Sequence, residues 1–258
     1  MKTNVRTHRV SPPYSRLAKA YDETIGLPAF RHFRRAFETL ARRHGLRFRR
    51  AADIGCGTGL FARYLSDCWG LPVWAVDISP EMLRVAKSNC LGANVKLLRQ
   101  DIRSLRLPEP VDLVTSNFDA LNHLTGEGDL RNAFQRIAAN LRSGGHLYFD
   151  LVTPCRPLGG GMVYARRINA RDQQVIQRVR WDTARNIISA VVVMRSMDSQ
   201  RPTLEIFRER AFSFAEVGQW LLDAGFVIRG VHDAETLAPA SGCPTRIIVI
   251  AQKIAPRN

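Results

Sequence analysis

Asp53 and Asp77 each close a short apolar run, Ala51-Ala52 for the first and Val73-Trp74-Ala75-Val76 for the second. Between them lies the turn Gly55-Cys56-Gly57-Thr58-Gly59. Strand, glycine turn, helix, strand, acid is the order of a nucleotide-binding α/β half, in which glycine lets the backbone approach a ligand and take φ > 0. A diphosphate site has the form G-x-G-x-x-G, and its third glycine falls on position 60, which is Leu60. A carboxylate two residues before the first glycine would also repel a diphosphate. The pattern therefore suits a cationic ligand rather than a diphosphate.

Elements with recognisable signals position these residues. Arg50–Ile54 and Val73–Asp77 read as strands, each followed by a helix, Gly59–Cys68 and one that starts at Ser79. Ser79 caps that second helix, with Pro80 in its first turn and Glu81 near the positive end of its dipole. Val95–Leu98, Val111–Ser116 and His146–Leu151 are further strands, and Gly128–Leu141 a helix. This alternation specifies an α/β fold: a Rossmann-like, mostly parallel sheet with helices on both faces. Residues 1–13 read as a tail, Tyr14–Ile25 as a helix broken by Gly26 and Pro28, and Ala29–His44 as a second helix with Arg on its outer faces. Beyond Pro154 and the junction Gly159-Gly160-Gly161 the period changes to that of strands. Gln174–Trp181, Ile187–Met197 and Leu204–Phe212 form an antiparallel insertion. Ser213-Phe214-Ala215-Glu216 is a capping box that opens a helix to Ala224, and Phe226–Val231 and Arg246–Ala251 complete the sheet. The organisation expected is one domain over 1–258: an N-terminal helical cap (1–44), a ligand-binding core (45–153), the β insertion (154–212) and completion of the core (213–258).

The ordered motifs resemble those of the class I S-adenosylmethionine-dependent methyltransferases. The glycine turn is similar to their first motif, Asp77-Ile78-Ser79-Pro80-Glu81-Met82-Leu83 to the second, Arg99-Gln100-Asp101-Ile102 to the third and Val111–Asn117 to the fourth strand. Leu141–Leu147 is similar to the turn into the fifth strand, and Leu222-Asp223-Ala224-Gly225-Phe226 to the entry to the late strands. Tyr21-Asp22, the segment Asn117–Asn122 and the inserted strands resemble the YqeM-like bacterial subgroup. The resemblance implies S-adenosyl-L-methionine as cofactor, a molecule with an ammonium, a sulfonium and a ribose diol. By the same pattern Asp53 helps hold its ammonium, Gly55, Gly57 and Gly59 form the turn beneath it, and Asp77 takes the ribose hydroxyls. Ile78, Met82 and Ile102 flank the adenine, Asp101 accepts from its amino group, and Asn117 and Tyr21 meet the methionine part. Arg16 is either a counter-ion for the methionine carboxylate or a solvated helix residue.

Methyl transfer needs alignment and exclusion of water, and a base only for some acceptors. Asp119, His123 and Tyr164 are the candidate catalytic residues, and Phe118 and the insertion would shape the acceptor pocket. The first reading is transfer of the methyl group to an oxygen or nitrogen of a small molecule. An RNA acceptor and a cofactor-binding protein without turnover stay open as alternatives. The net charge of +15 (38 Lys and Arg against 23 Asp and Glu) is the ground for the RNA reading, though charge of this kind also serves solubility. Asn117 is followed by Phe118-Asp119-Ala120 and not by two prolines and an aromatic, which weakens methylation of exocyclic base amines. Cys155, after Thr153-Pro154, stands as a nucleophile for RNA cytosine or as an inert thiol. Five cysteines without a C-x-x-C pair argue against a disulfide framework or structural zinc, and for a reducing, cytoplasmic setting. No apolar run has the length of a bilayer span and Met1–Arg9 has no apolar core, so neither membrane nor secretion is expected. Pairing of the inserted strands between subunits is the one route to an oligomer that the pattern suggests.

Overall fold

The computed structural model describes residues 9–155, 164–170, 173–196 and 202–254. After a short strand β1 (Arg9–Ser11), helix α1 spans Leu27–Arg43. The core then alternates: β2 (Ala51–Ile54), α2 (Leu60–Trp69), β3 (Val73–Asp77), α3 (Pro80–Asn89), β4 (Val95–Arg99), β5 (Val111–Ser116), α4 (Asp129–Asn140) and β6 (Leu141–Val152). Four strands of the insertion follow, β7 (Tyr164–Ala170), β8 (Gln173–Asp182), β9 (Ile187–Ser196) and β10 (Thr203–Arg210). Helix α5 (Phe214–Asp223), β11 (Phe226–Asp233) and β12 (Arg246–Lys253) close the chain.

The main sheet has the order β11-β12-β6-β5-β2-β3-β4. The five strands from β6 to β4 are parallel, and β12 runs against both of its neighbours. Alternate side chains go to opposite faces, as the pleat requires. Ala51, Ala75, Leu113, Tyr148 and Ile248 pack with α1 and α2, while Ala52, Val76, Val114, Phe149 and Val249 pack with α4 and α5. The expected mixed architecture, helices on both faces and an antiparallel insertion, is what the chain forms. Ser79 accepts from Met82 N at 3.2 Å, and Ser213 and Glu216 make both bonds of the capping box. Ser213→Ala is expected to cost about 1 kcal/mol of stability, read as a lower midpoint in urea with an unchanged slope.

Two expectations at the N-terminus need correction. Tyr14–Ile25 is not an α-helix but a 3-10 turn, Leu17–Lys19, and a π turn, Asp22–Gly26, that runs straight into α1. The reason is tertiary: Glu205 of β10, wholly buried, accepts from Ser15 Oγ and from the backbone N–H groups of Arg16 and Leu17. That carboxylate takes donors early and ends the turn. Gly26 and Pro28 do not break the chain, because they fall at the start of α1, where proline has no hydrogen bond to lose. Residues Arg9–Ser11 of the expected tail pair in parallel with β10.

The second sheet, β1-β10-β9-β8-β7, thus joins the N-terminal segment to the insertion. Val175, Val179, Val192 and Phe207 bury one face of it against Leu17, Tyr14 and Tyr21. The glycine junction 159–161 lies outside the described residues. The cysteine expectation also changes: Cys155 and Cys243 form a disulfide, while Cys56, Cys68 and Cys90 are free. The pairing of β6 with β12, Val152 beside Arg246, brings together two cysteines that are 88 residues apart. A bridged Cys155 is no nucleophile.

Candidate functional site

A cavity of about 850 Å³ opens over the carboxyl ends of β2, β3 and β5, a size within the ~300–1,000 Å³ of small-molecule sites. Its walls include Tyr21, Asp53, Gly55, Gly57, Asp77, Ile78, Met82, Asp101, Ile102, Asn117 and His123. Eleven of the fourteen residues singled out from the sequence therefore meet in one place. Gly59 and Asp119 do not line it. Gly59 packs inward, where an added Cβ would lie 2.8 Å from Cys90 Sγ. Tyr164 begins β7, paired with Val179, and its side chain lies outside the described residues.

The glycine turn is held by the second acid. Asp77 Oδ2 accepts from Gly57 N and Oδ1 from Ser79 N, both at 2.8 Å. Burial raises the Asp77 carboxyl above its ordinary range, and these backbone bonds oppose the rise. Gly57 has φ +53° and nothing within 4 Å of an added Cβ, so its backbone lies open to the cavity. Asp53 Oδ1 accepts from Thr115 Oγ1 at 2.7 Å, and burial pushes the carboxyl up to about 7. Its Oδ2, and both polar atoms of the Asn117 amide, are buried without a hydrogen-bond partner. Buried polar groups without partners are rare. A cation at Asp53 and a donor–acceptor group at Asn117 satisfy them, so these residues fit the amino-acid end of S-adenosylmethionine.

The adenine side is apolar. Met82 is buried, Ile102 partly so, and Ile78 stands exposed at the lip. Both oxygens of Asp101 are held by the Arg103 guanidinium, which lowers its carboxyl below the usual range. A side-chain clasp joins the N-terminal segment to the turn: Thr58 Oγ1 and Asn89 Nδ2 donate to the two oxygens of Asp22 at 2.6 and 2.8 Å.

At and beside the far end of the cavity, sequence reasoning missed several groups. Tyr14 O–H lies 2.9 Å from His123 Nε2, and His123 Nδ1 lies 3.3 Å from the Arg208 carbonyl. A carbonyl only accepts, so Nδ1 carries the proton and Nε2 accepts from Tyr14. Burial lowers the imidazole below its ordinary range and keeps it neutral. Glu209 Oε1 stands 3.8 Å from Nε2, and burial pushes its carboxyl up to about 8. Asp119 is ion-paired with Arg246 through both guanidinium nitrogens. Tyr14 is masked in the sequence by the Pro12-Pro13 before it. Glu205 and Glu209 left one usable signal: both alternate with Phe207 on the inward face of a strand.

Comparison with known proteins agrees with this geometry. A family model described as a methyltransferase domain matches residues 51–145, the segment that builds the glycine turn and both acids. A protein of Geobacillus sp. (strain WCH70) named as a methyltransferase is 26% identical over 80% of this chain and 85% of its own length. The dTDP-3-amino-3,6-dideoxy-alpha-D-glucopyranose N,N-dimethyltransferase of Streptomyces fradiae is 32% identical over 40% of this chain and 39% of its own. The solved S-adenosylmethionine-dependent methyltransferase of Clostridium acetobutylicum ATCC 824 superposes with a TM-score of 0.78 at 22% identity, over 94% of this chain and 99% of that one, and shares the fold. The matched domain, the strand order and the unpartnered groups of the cavity converge on one class: the chain is a class I S-adenosylmethionine-dependent methyltransferase.

Proposed function

We propose that this enzyme transfers the methyl group of S-adenosylmethionine to an oxygen or nitrogen of a small molecule, with His123 taking the proton of the acceptor. The observation that carries the reading is that His123, neutral and with its Nε2 directed at the Tyr14 hydroxyl, lines the same cavity as the glycine turn. The name of the Streptomyces fradiae relative, an aminosugar N,N-dimethyltransferase, supports an acceptor of this size. Tyr21-Asp22, the Asn117–Asn122 segment and the insertion support a place beside the YqeM-like subgroup. The free thiols support a cytoplasmic setting, and the Cys155–Cys243 bridge runs against it.

When bound, the cofactor supplies a methyl group already activated on a sulfonium. The chain supplies the rest. Asp77 receives the ribose hydroxyls on the lone pairs its backbone bonds leave free. Asp53 and Asn117 hold the amino-acid end, with Tyr21 over it. Met82, Ile78 and Ile102 flank the adenine, and Asp101 borders it. The N-terminal segment, tied to the core by Asp22 and to β10 by Glu205, lines one wall of the cavity. Orientation of the acceptor against the methyl group removes much of the barrier to a displacement at carbon. His123 Nε2 accepts a proton from an acceptor that displaces the Tyr14 hydroxyl.

Incubation with methyl-labelled cofactor and separated metabolite and RNA fractions tests the reading. Label is expected in the metabolite fraction; label confined to RNA, or cofactor binding with no transfer, rejects it. His123→Asn is expected to slow transfer about 100-fold or more while cofactor affinity holds.

A further inference from the structure

We propose that Arg246, on β12, is a positioning residue for His123: it fixes the turn that carries the imidazole and neutralises the one carboxylate of that turn. The proposal rests on the reading of His123 as proton acceptor.

The geometry is that of a clamp. His123 ends a 3-10 turn, Ala120–His123, which Asp119 begins. Phe118 and Asp119 have φ of 59° and 64°, a left-handed backbone that residues with a Cβ adopt only under restraint. The restraint is Arg246. Its guanidinium bonds both oxygens of Asp119 and also Oδ2 of Asp150, a wholly buried residue on β6. It also lies over the rings of Phe33 and Phe118, 5.7 and 5.9 Å from their centres. At the other end of the turn, Asn122 bonds the backbone of Val152 and the carbonyl of Arg210. Both ends are therefore pinned, but only the Asp119 end carries charge.

The charged and titratable groups around His123 come from four elements. The N-terminal segment brings Tyr14 and Tyr21, β10 brings Glu209, β3 brings Asp77, and its own turn brings Asp119. The acids favour an imidazolium, burial disfavours it, and burial prevails. That balance depends on Arg246, since its removal leaves Asp119 and the buried Asp150 without their cation, and their negative charge then acts on the nearest base. His123 is the base next to Asp119 in the same turn. Once protonated, it has no lone pair for the acceptor's proton. A lysine keeps the charge, but one ammonium lacks the planar fork that bridges two carboxylates and stacks on two rings.

The test follows the 15N-labelled imidazole of His123 by NMR titration of the full chain with S-adenosylhomocysteine bound. Arg246→Met is expected to move the His123 midpoint up by about one pH unit or more, and Arg246→Lys by less. The double variant Arg246→Met with Asp119→Asn is expected to bring the midpoint back near the wild-type value. A role limited to fold stability predicts no such return. In the labelled-methyl assay the acid limb of the rate profile shifts upward with the midpoint in Arg246→Met, while S-adenosylhomocysteine affinity holds. A midpoint that stays put in a folded Arg246→Met, or fails to return in the double variant, overturns the proposal. If Arg246→Met does not fold, Arg246→Lys carries the test: the midpoint must rise, and no change overturns the proposal. Undiminished transfer by His123→Asn would instead remove the base reading and leave the titration result standing.

Discussion

Asp77→Ala is expected to weaken S-adenosylhomocysteine binding by roughly 100- to 1,000-fold. A hydrogen bond to a charged acceptor contributes about 1.5–3 kcal/mol, and two ribose hydroxyls on one carboxylate give about 3–4 kcal/mol together. The substitution also removes the partner of Gly57 N and Ser79 N, so the glycine turn loses what holds it to the end of β3. Asp77→Asn separates these effects. It keeps the shape, but its amide offers one accepting oxygen where two N–H groups now donate, so one of them faces an NH₂ group. The asparagine variant is expected to lose about tenfold or more in affinity. Acid gives a third reading of the same group. Burial raises the Asp77 carboxyl, and only the ionised form accepts from both hydroxyls and both backbone donors at once. Wild-type affinity is therefore constant at high pH. It declines as pH falls through the raised value, sooner than for an exposed aspartate, and the asparagine variant keeps only the decline that Asp53 contributes. Calorimetry across pH on the three proteins checks each step. An alanine variant that binds like wild type removes the ribose assignment.

The parts of this fold that were legible in the sequence are those whose signals are local. The glycine turn, the acids at the ends of β2 and β3, the Ser79 cap and the Ser213 capping box each sit within a few residues of the element they specify. Asp53, Gly55, Gly57, Asp77 and Met82 follow from them, because a parallel sheet brings the carboxyl ends of its strands to one edge. What was hidden depends on pairs far apart in the chain. The N-terminal segment has helical composition but no helix of its own, because Glu205 takes its donors. β1 becomes a strand only because β10 is there to pair with it. The Cys155–Cys243 bridge and the Arg246 clamp both arise where β12 inserts beside β6, a pairing that no residue spacing announces. Asp119 illustrates the limit. Its position after β5 marks it as a candidate base, and only the arrival of Arg246 from the end of the chain turns it into a structural ion pair. The acceptor end of the cavity is built from the N-terminus, the insertion and the turn after β5, and so is the least readable from any one stretch.

Gly55→Ala is expected to cost about 2–5 kcal/mol of stability, a large share of the roughly 5–15 kcal/mol that holds a domain folded. Two causes combine. Gly55 has φ +65°, and the left-handed region costs a residue with a Cβ about 1–2 kcal/mol. The new Cβ would also lie 2.5 Å from Cβ of Ala120, so the two turns must part, and overpacking of this kind costs about 1–3 kcal/mol. Ala120 is the first residue of the turn that ends at His123, so the clash does not stay on the cofactor side. It pushes the acceptor side away from the cavity, and transfer falls by more than the loss of folded protein explains. Ala120→Gly removes the methyl group that is struck. The double variant Gly55→Ala with Ala120→Gly is therefore expected to regain the overpacking part and keep the backbone part, a coupling of about 1–3 kcal/mol between the two sites in urea denaturation. Strict additivity would mean that the glycine turn and the His123 turn do not touch. The cofactor and acceptor ends of the cavity would then be independent, and a substitution at one could not be felt at the other.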